Sequence, residues 1–447
     1  MLPNSLSALA RVLGQDAQGE AQIQGFAIDS RQVKPGDLFF ALKGARDGHD
    51  FLADAKRQGA VAAVVTQATD LLPALCVNDV ETALTELARA FCREYTHPVL
   101  ALTGSQGKTS TRGFIASILA VRAARSGHEI LVTQGNYNNQ LGVPLTASRL
   151  RPEHAFAVFE LGASKVGDID HIAAIVKPHI SALLNARAAH LEGFGSRAGV
   201  VQGKGEIIDH TADDGVVVLN ADEPAFQTWR ERAKHRTVKT FGQDQADVVW
   251  MPLTDQRVRL TFEDQRVEVT LPTLGVHFME NAAAAVAMCL AAGAERSDLI
   301  EGLESAVIEP GRMTPHQFGA LRLIDDTYNA SPEAVCAAID WLATQAGIRL
   351  LILGHLAELG ADAEAEMEAI GRYAKDAGIE RLVAVGKAEP IATGFGASAD
   401  YVSDLDALEV DLAGRMEGVD VALVKGSRSA HMERVIDQVK RIQGEND

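Results

Sequence analysis

Residues 100–111, "LALTGSQGKTST", run from an apolar stretch into a glycine-flanked turn that ends on Lys108 and Thr109. The usual nucleotide loop, G-x-x-x-x-G-K-[ST], needs a glycine five residues before Gly107, and Leu102 stands there. What remains is the shorter pattern Gly104, Ser105, Gln106, Gly107, Lys108, Thr109, followed by Ser110. A strand that feeds a glycine turn and then a helix still aims backbone N–H groups at one centre, at the positive end of a helix dipole. Lys108 would reach the outer phosphates and the Thr109 hydroxyl would ligate magnesium. The competing reading is a plain polar loop, and the flanks argue against it. "VLALT" reads as a buried strand, and Phe114, Ile115, Ile118, Leu119 and Val121 fall close to helical spacing. A nucleoside triphosphate is the leading occupant.

Outward from this loop the chain alternates strand-like and helical runs. Residues 22 to about 94 hold "DLFFAL", "VAAVV" and "PALCV" between helical patterns, and "REYTHPVL" reads as a hinge. A second α/β stretch contains the strand candidates "AFAVFEL", "ISALLN" and "GVVVLN", whose continuous apolar character fits a parallel sheet covered on both faces. After Pro310-Gly311 the βα alternation restarts and suggests a doubly wound unit. The expected fold class is α/β in three domains: a small α/β domain over 1–96, a central P-loop ATPase domain with a mostly parallel sheet over 97–309, and a Rossmann-like domain over 310–447.

At 447 residues the chain exceeds one ordinary core. Its net charge of −18, without a basic patch, argues against nucleic acid or an anionic membrane surface as partner. Anionic ligands must then be held by local devices. Four scattered cysteines at 76, 92, 289 and 336 predict buried free thiols rather than a zinc site or disulfide framework. No signal-peptide pattern opens the sequence, and the apolar run 282–294 is too short to span a bilayer. Cytoplasmic placement and a monomer are the default expectations.

Glu160 ends the strand candidate "AFAVFE", so its carboxylate should emerge at the carboxyl edge of the sheet, where open α/β sheets bind ligands; it is a second candidate magnesium ligand beside Thr109. His190 follows "ISALLN" in a glycine-bearing loop, and in series with Lys108, Thr109 and Glu160 it reads as a further ligand. Lys204 lies between two glycines, and position alone leaves it a solvated lysine. "GNYNNQLGVP" at 135–144 suits either hydrogen bonding to a polar ligand or ordinary turn capping. "DDTYNASP" at 325–332 forms a second strand-to-helix loop.

Several stretches in series, "DSR...KPGDLFFALKG", "TGSQGKTST", "GNYNNQLGVP", "ELGAS", "HLEGFGS", "KGEII", "PGRM", "DDTYNASP", "AELG" and "LVKGSRS", resemble the Mur ligases from about residue 25 to about 435. The "DDTYNA" loop and the doubled asparagines point to the branch that joins D-alanyl-D-alanine to UDP-N-acetylmuramoyl-tripeptide. The resemblance implies ATP, two magnesium ions and an acyl-phosphate intermediate. It implies that Ser30 and Arg31 hold the uridine-nucleotide end, and that Asn138 and Asn139 help hold the muramoyl-peptide. Lys108 and Thr109 match the phosphate loop, and Glu160 and His190 match magnesium ligands. Lys204 matches a carbamylated lysine, an anion able to ligate the second magnesium, which replaces the solvated reading. Asn281 matches an adenine contact, Arg312 a phosphate contact at the hinge, and Asp326 a ribose contact, with Tyr328 and Asn329 nearby.

The sequence departs from that pattern at Gln106, where asparagine is usual, and at Ser110, where threonine is common; both keep hydrogen-bonding capacity. His355 stands where this type usually has aspartate and Met367 where histidine is frequent, both near the place expected for the incoming dipeptide. Two alternatives remain open at this stage. One is a sister ligase with another acceptor, against which "DDTYNA" counts. The other is a catalytically dead ATP-binding protein, which predicts loss of a metal ligand or lysine, and none of those residues is lost.

Overall fold

The computed structural model describes residues 4–187, 191–357 and 359–444. It contains three sheets, and in each most neighbouring strands run parallel. By contacts the chain divides into two compact units, one of 1–250, 260–267 and 280–305, the other of 251–259, 268–279 and 306–447.

In the first unit the leading sheet has the strand order Ala17–Gln18, Ala74–Cys76, Ala62–Val65, Asp37–Phe40, Gly25–Ala27, parallel except at its first pair. The apolar runs of the sequence became these strands because both faces are covered. Leu38, Phe40 and Val64 belong to one core, while Phe39, Ala63 and Val65 belong to another. Helix Val80–Glu94 starts where the Asp79 carboxylate accepts Glu81 N and Thr82 N at 3.4 and 3.0 Å. It packs on helices Gly142–Ala147 and Asp168–Val176, so a single core runs from Leu6 through Phe91 to Phe159 and Trp229.

The large sheet is nine-stranded. Its parallel heart is, in order, Thr237–Gly242, Val216–Asn220, Ile180–Leu183, Val99–Thr103, His154–Glu160 and Glu129–Val132. Strands Val248–Pro252, Arg257–Phe262 and Gln265–Thr270 complete it beyond Thr237–Gly242. Strand Val99–Thr103 is buried at all five positions and enters helix Lys108–Ala124 through the glycine turn. The carboxyl ends of Val99–Thr103, His154–Glu160 and Ile180–Leu183 therefore share one edge, which places Gly104, Glu160 and Asn185 near one another. The alanine-rich run lies in helix Val276–Ala291, with Ala282 to Ala287 at most 3% exposed.

The second unit carries a six-stranded sheet in the order Thr314–Phe318, Leu321–Asp326, Val421–Lys425, Arg349–Gly354, Arg381–Val385, Ala399–Val402. Only the first pair is antiparallel. Helix Pro332–Ala343 begins at Ser331, whose hydroxyl accepts Ala334 N, with proline at its first position.

All four cysteines are free, but only Cys289 is buried; Cys76, Cys92 and Cys336 are partly exposed, Cys92 while packed against the main core. Among the described residues no helix is long and apolar enough to cross a membrane.

Candidate active site

In the first unit Gly107 takes φ 80°, and a Cβ there would stand 2.3 Å from Asn281 Oδ1, so the turn requires glycine. No side chain caps the helix that follows. The loop is fixed from the neighbouring strand end instead. Asn185 Oδ1 accepts Gln106 N at 2.9 Å, Asn185 Nδ2 donates to Gln106 O at 3.2 Å, and Ser105 Oγ donates to Arg187 O at 3.0 Å. Lys108 Nζ donates to Gly104 O at 2.7 Å and Ser105 O at 3.3 Å, which folds its ammonium back over the cradle. A helix start whose backbone N–H groups stand beside a lysine is an arrangement suited to an anion.

Glu160 is the centre of the site. It is 2% exposed, and its Oε1 accepts Asn138 Nδ2 at 2.8 Å and the Thr109 hydroxyl at 3.3 Å. Arg112 Nη1 lies 3.1 Å from Oε2. A carboxylate beside a hydroxyl is an oxygen donor set suited to a hard cation such as magnesium. Among the described residues no three His, Cys, Asp or Glu side chains converge as a metal cluster. His190 lies outside the described residues.

Lys204 is 2% exposed, not solvated. Its Nζ donates to Ala163 O at 3.2 Å and sits 5.3 Å from the centre of the Phe194 ring. Burial, reinforced by the charge of Lys108, pushes its pKa down to about 7. The flanking glycines explain its position. A Cβ at Gly203 would meet the Phe194 ring at 2.6 Å, and one at Gly205 would meet Arg232 Nη1 at 2.7 Å. Two residues on, buried Glu206 accepts Gly167 N and Asp170 N at 2.8 and 3.0 Å and so ties the start of helix Asp168–Val176 to the lysine's own helix.

Ser30 is buried, whereas the Arg31 side chain is exposed and paired with Asp29 through Nη2 at 2.7 Å. Asn139 does not join Asn138 at Glu160. Its Oδ1 accepts Leu141 N and Gly142 N, at 3.2 and 2.9 Å, and shapes the turn into helix Gly142–Ala147.

In the second unit Asp326 ends its strand and accepts from Lys425 Nζ at 2.5 Å and from Met313 N at 3.2 Å. Lys425 also donates to Asn329 O at 3.0 Å. The Arg312 guanidinium lies 3.9 Å from the centre of the Tyr328 ring, and Tyr328 N donates to Gly311 O at 3.0 Å. His355 Nε2 is 3.0 Å from Ser429 Oγ, and burial followed by the charge of Lys387 holds its pKa below the usual histidine value. Met367 is 8% exposed within helix Ala363–Asp376, a packing position.

Sequence reasoning missed Arg112, Asn185, Glu206 and Lys425. The i, i+4 spacing puts Arg112 on the same helix face as Lys108, but nothing in the sequence marks it as buried.

Comparison with known proteins covers most of the chain. Three family profiles match: "Mur ligase family, catalytic domain" at residues 22–92, "Mur ligase middle domain" at 102–289 and "Mur ligase, glutamate ligase domain" at 311–428. A protein of Escherichia coli (strain K12) named UDP-N-acetylmuramoyl-tripeptide--D-alanyl-D-alanine ligase is 38% identical over 449 residues, covering 98% of each chain. Among solved structures, MurF from Acinetobacter baumannii superposes with a TM-score of 0.87 at 33% identity, covering 97% of this chain and 98% of that one. MurF ligase from Thermotoga maritima in complex with ADP gives 0.81 at 29% identity, covering 94% and 98%.

Proposed function

The chain belongs to the Mur ligase family, and from that premise we propose that it joins D-alanyl-D-alanine to UDP-N-acetylmuramoyl-tripeptide with ATP, releasing ADP and phosphate. One observation carries the reading: a single buried carboxylate, Glu160, is touched both by Thr109 of the phosphate loop and by Asn138 of the asparagine loop. That shared contact supports a nucleotide and an acyl substrate meeting at one point.

A carboxylate does not condense with an amine at neutral pH, because oxide would have to leave. Phosphoryl transfer from ATP to the terminal carboxylate of the tripeptide makes a mixed anhydride whose leaving group is phosphate. The free amine of the dipeptide then attacks the acyl carbon, a proton is lost, and phosphate departs. The chain's part is positioning and charge. Backbone N–H groups at the start of helix Lys108–Ala124 hold the phosphates. Lys108 exchanges its contacts to Gly104 O and Ser105 O for the transferring group, where negative charge builds. Asn138 orients the acyl substrate.

Thr109, Glu160 and His190 would hold magnesium, with a carboxylated Lys204 serving the second ion. Such ions supply charge neutralisation of the phosphates. A lysine with a pKa near 7 is substantially neutral at physiological pH, so its free amine can add carbon dioxide and lose a proton to become a carbamate. The remaining assignments follow the same reading: Ser30 and Arg31 at the uridine end, Asn139 in the acyl-substrate loop, Asn281 at adenine, and Arg312, Asp326, Tyr328 and Asn329 at the nucleotide from the last domain. Domain limits near 96 and 310, a monomer and a cytoplasmic site of action complete it.

The test is phosphate release by purified protein with ATP, magnesium and UDP-N-acetylmuramoyl-tripeptide, with and without D-alanyl-D-alanine. It is repeated on Lys204→Ala with and without short carboxylic acids. Release that needs the dipeptide, falls in the variant and is partly rescued by the acids supports ligase and carbamate together. Release that ignores the dipeptide but answers to another amine moves the acceptor assignment.

A further inference from the structure

We propose that Arg112 is a positioning residue that couples the nucleotide cradle to the loop 134–142, so that nucleotide and metal binding tighten the hold on the acyl substrate. The proposal rests on the ligase reading above. The Arg112 side chain is 6% exposed, and one nitrogen serves two partners: Nη1 lies 3.1 Å from Glu160 Oε2 and 2.8 Å from Gly135 O. A buried guanidinium is costly unless its charge and its donors are engaged. Packing alone gives no reason for it, since Phe114, Ile115, Ile118 and Leu119 fill the core from the same helix.

The contacts form a continuous path. Arg112 stands one turn beyond Lys108 and reaches Gly135 O at the start of the loop. Two residues on, the Tyr137 hydroxyl donates to Gln32 Oε1 at 2.9 Å, next to Arg31. Asn138 donates to Glu160 Oε1 at 2.8 Å, and its carbonyl accepts Gly162 N at 2.7 Å. The loop is therefore tied to Glu160 twice, directly through Asn138 and indirectly through Arg112.

A divalent cation held by Thr109 and Glu160 would compete with the Asn138 amide for the carboxylate oxygens. Once released, that amide is available to the acyl substrate, while Arg112 still holds the loop through Gly135 O. Without Arg112 the release of Asn138 would also slacken the loop, and the gain in substrate affinity would be lost. Coupling of this kind is a ratio of affinities and is measurable as such.

The test is calorimetric titration of the full chain with UDP-N-acetylmuramoyl-tripeptide, with and without magnesium and the non-hydrolysable nucleotide AMP-PNP. In the parent, nucleotide and metal should tighten binding about tenfold. In Arg112→Met the factor should fall below about twofold while each ligand still binds alone, and Arg112→Lys should restore most of it. Thermal unfolding checks that the variants fold. If the Met variant does not, Arg112→Gln, which keeps a donor for Gly135 O but no charge for Glu160, is read by the same criterion. Parental coupling in the Met or Gln variant overturns the proposal, as does a parent that binds both ligands without coupling; in either case the ligase reading stands. A parent that binds neither ligand removes the ligase reading and the proposal with it.

Discussion

Lys204 shows how far burial changes a residue's chemistry. Its pKa is about 7 in the folded protein against 10.5 for an unperturbed lysine. Between those values the folded state binds fewer protons than the unfolded chain, so this group's contribution to stability rises with pH across the window and is lowest below pH 7. Lys204→Met, in buffer free of carbon dioxide, should therefore raise the unfolding midpoint relative to the parent most at pH 6 and least near pH 9.5. A difference that did not vary with pH would contradict the buried amine. Asp326 makes the complementary case, because its partner Lys425 is 3% exposed. Asp326→Asn should cost about 3 kcal/mol in urea unfolding by leaving a buried ammonium unpaired, and pairing Asp326→Leu with Lys425→Met should recover much of it. Glu160 was legible because it ends an apolar run, and Lys108 and Thr109 because they close a glycine turn that follows one. Arg112 and Lys425 were not: a charged residue inside or closing a helix or strand looks solvated until its burial is known.

Among the elements, the phosphate turn is the one whose backbone admits least change. Gly107→Ala forces φ 80° on a residue with a Cβ and drives that Cβ into Asn281 Oδ1. It should lower stability by about 1 kcal/mol and weaken ADP binding at least about tenfold, read by calorimetry. Unchanged affinity would mean that the turn does not form the cradle. The parallel strands were readable as unbroken apolar runs because both of their faces are covered. Strands Arg257–Phe262 and Gln265–Thr270 were passed over for the opposite reason. Their burial alternates, so "RVRLTF" and "QRVEVT" carry polar residues at every second position and resemble loop sequence to a search for apolar runs. The edge strand Thr314–Phe318 was missed likewise, since only Phe318 is buried.

At the scale of the molecule, the second compact unit is assembled from three pieces of chain. Thr273 Oγ1 donates to Arg312 O at 2.9 Å, and Arg322 Nη2 lies 3.3 Å from Asp255 Oδ2, so the two short pieces are bonded into it. A fragment of residues 306–447 should then melt at a lower temperature and less sharply than the unit does in the full chain, and should bind a hydrophobic dye. A sharp melt at the full chain's midpoint would show that the short pieces are dispensable. By itself the sequence determined the α/β class, the phosphate loop and the order of the ligase motifs, because apolar runs, glycine turns and helix starts are local in the chain. The tertiary structure decided that Thr109, Asn138 and Arg112 converge on one carboxylate, and that Lys204 is a buried amine. Contacts between residues up to about fifty positions apart, and the desolvation that shifts a pKa, depend on which strands become neighbours, and no local pattern encodes that.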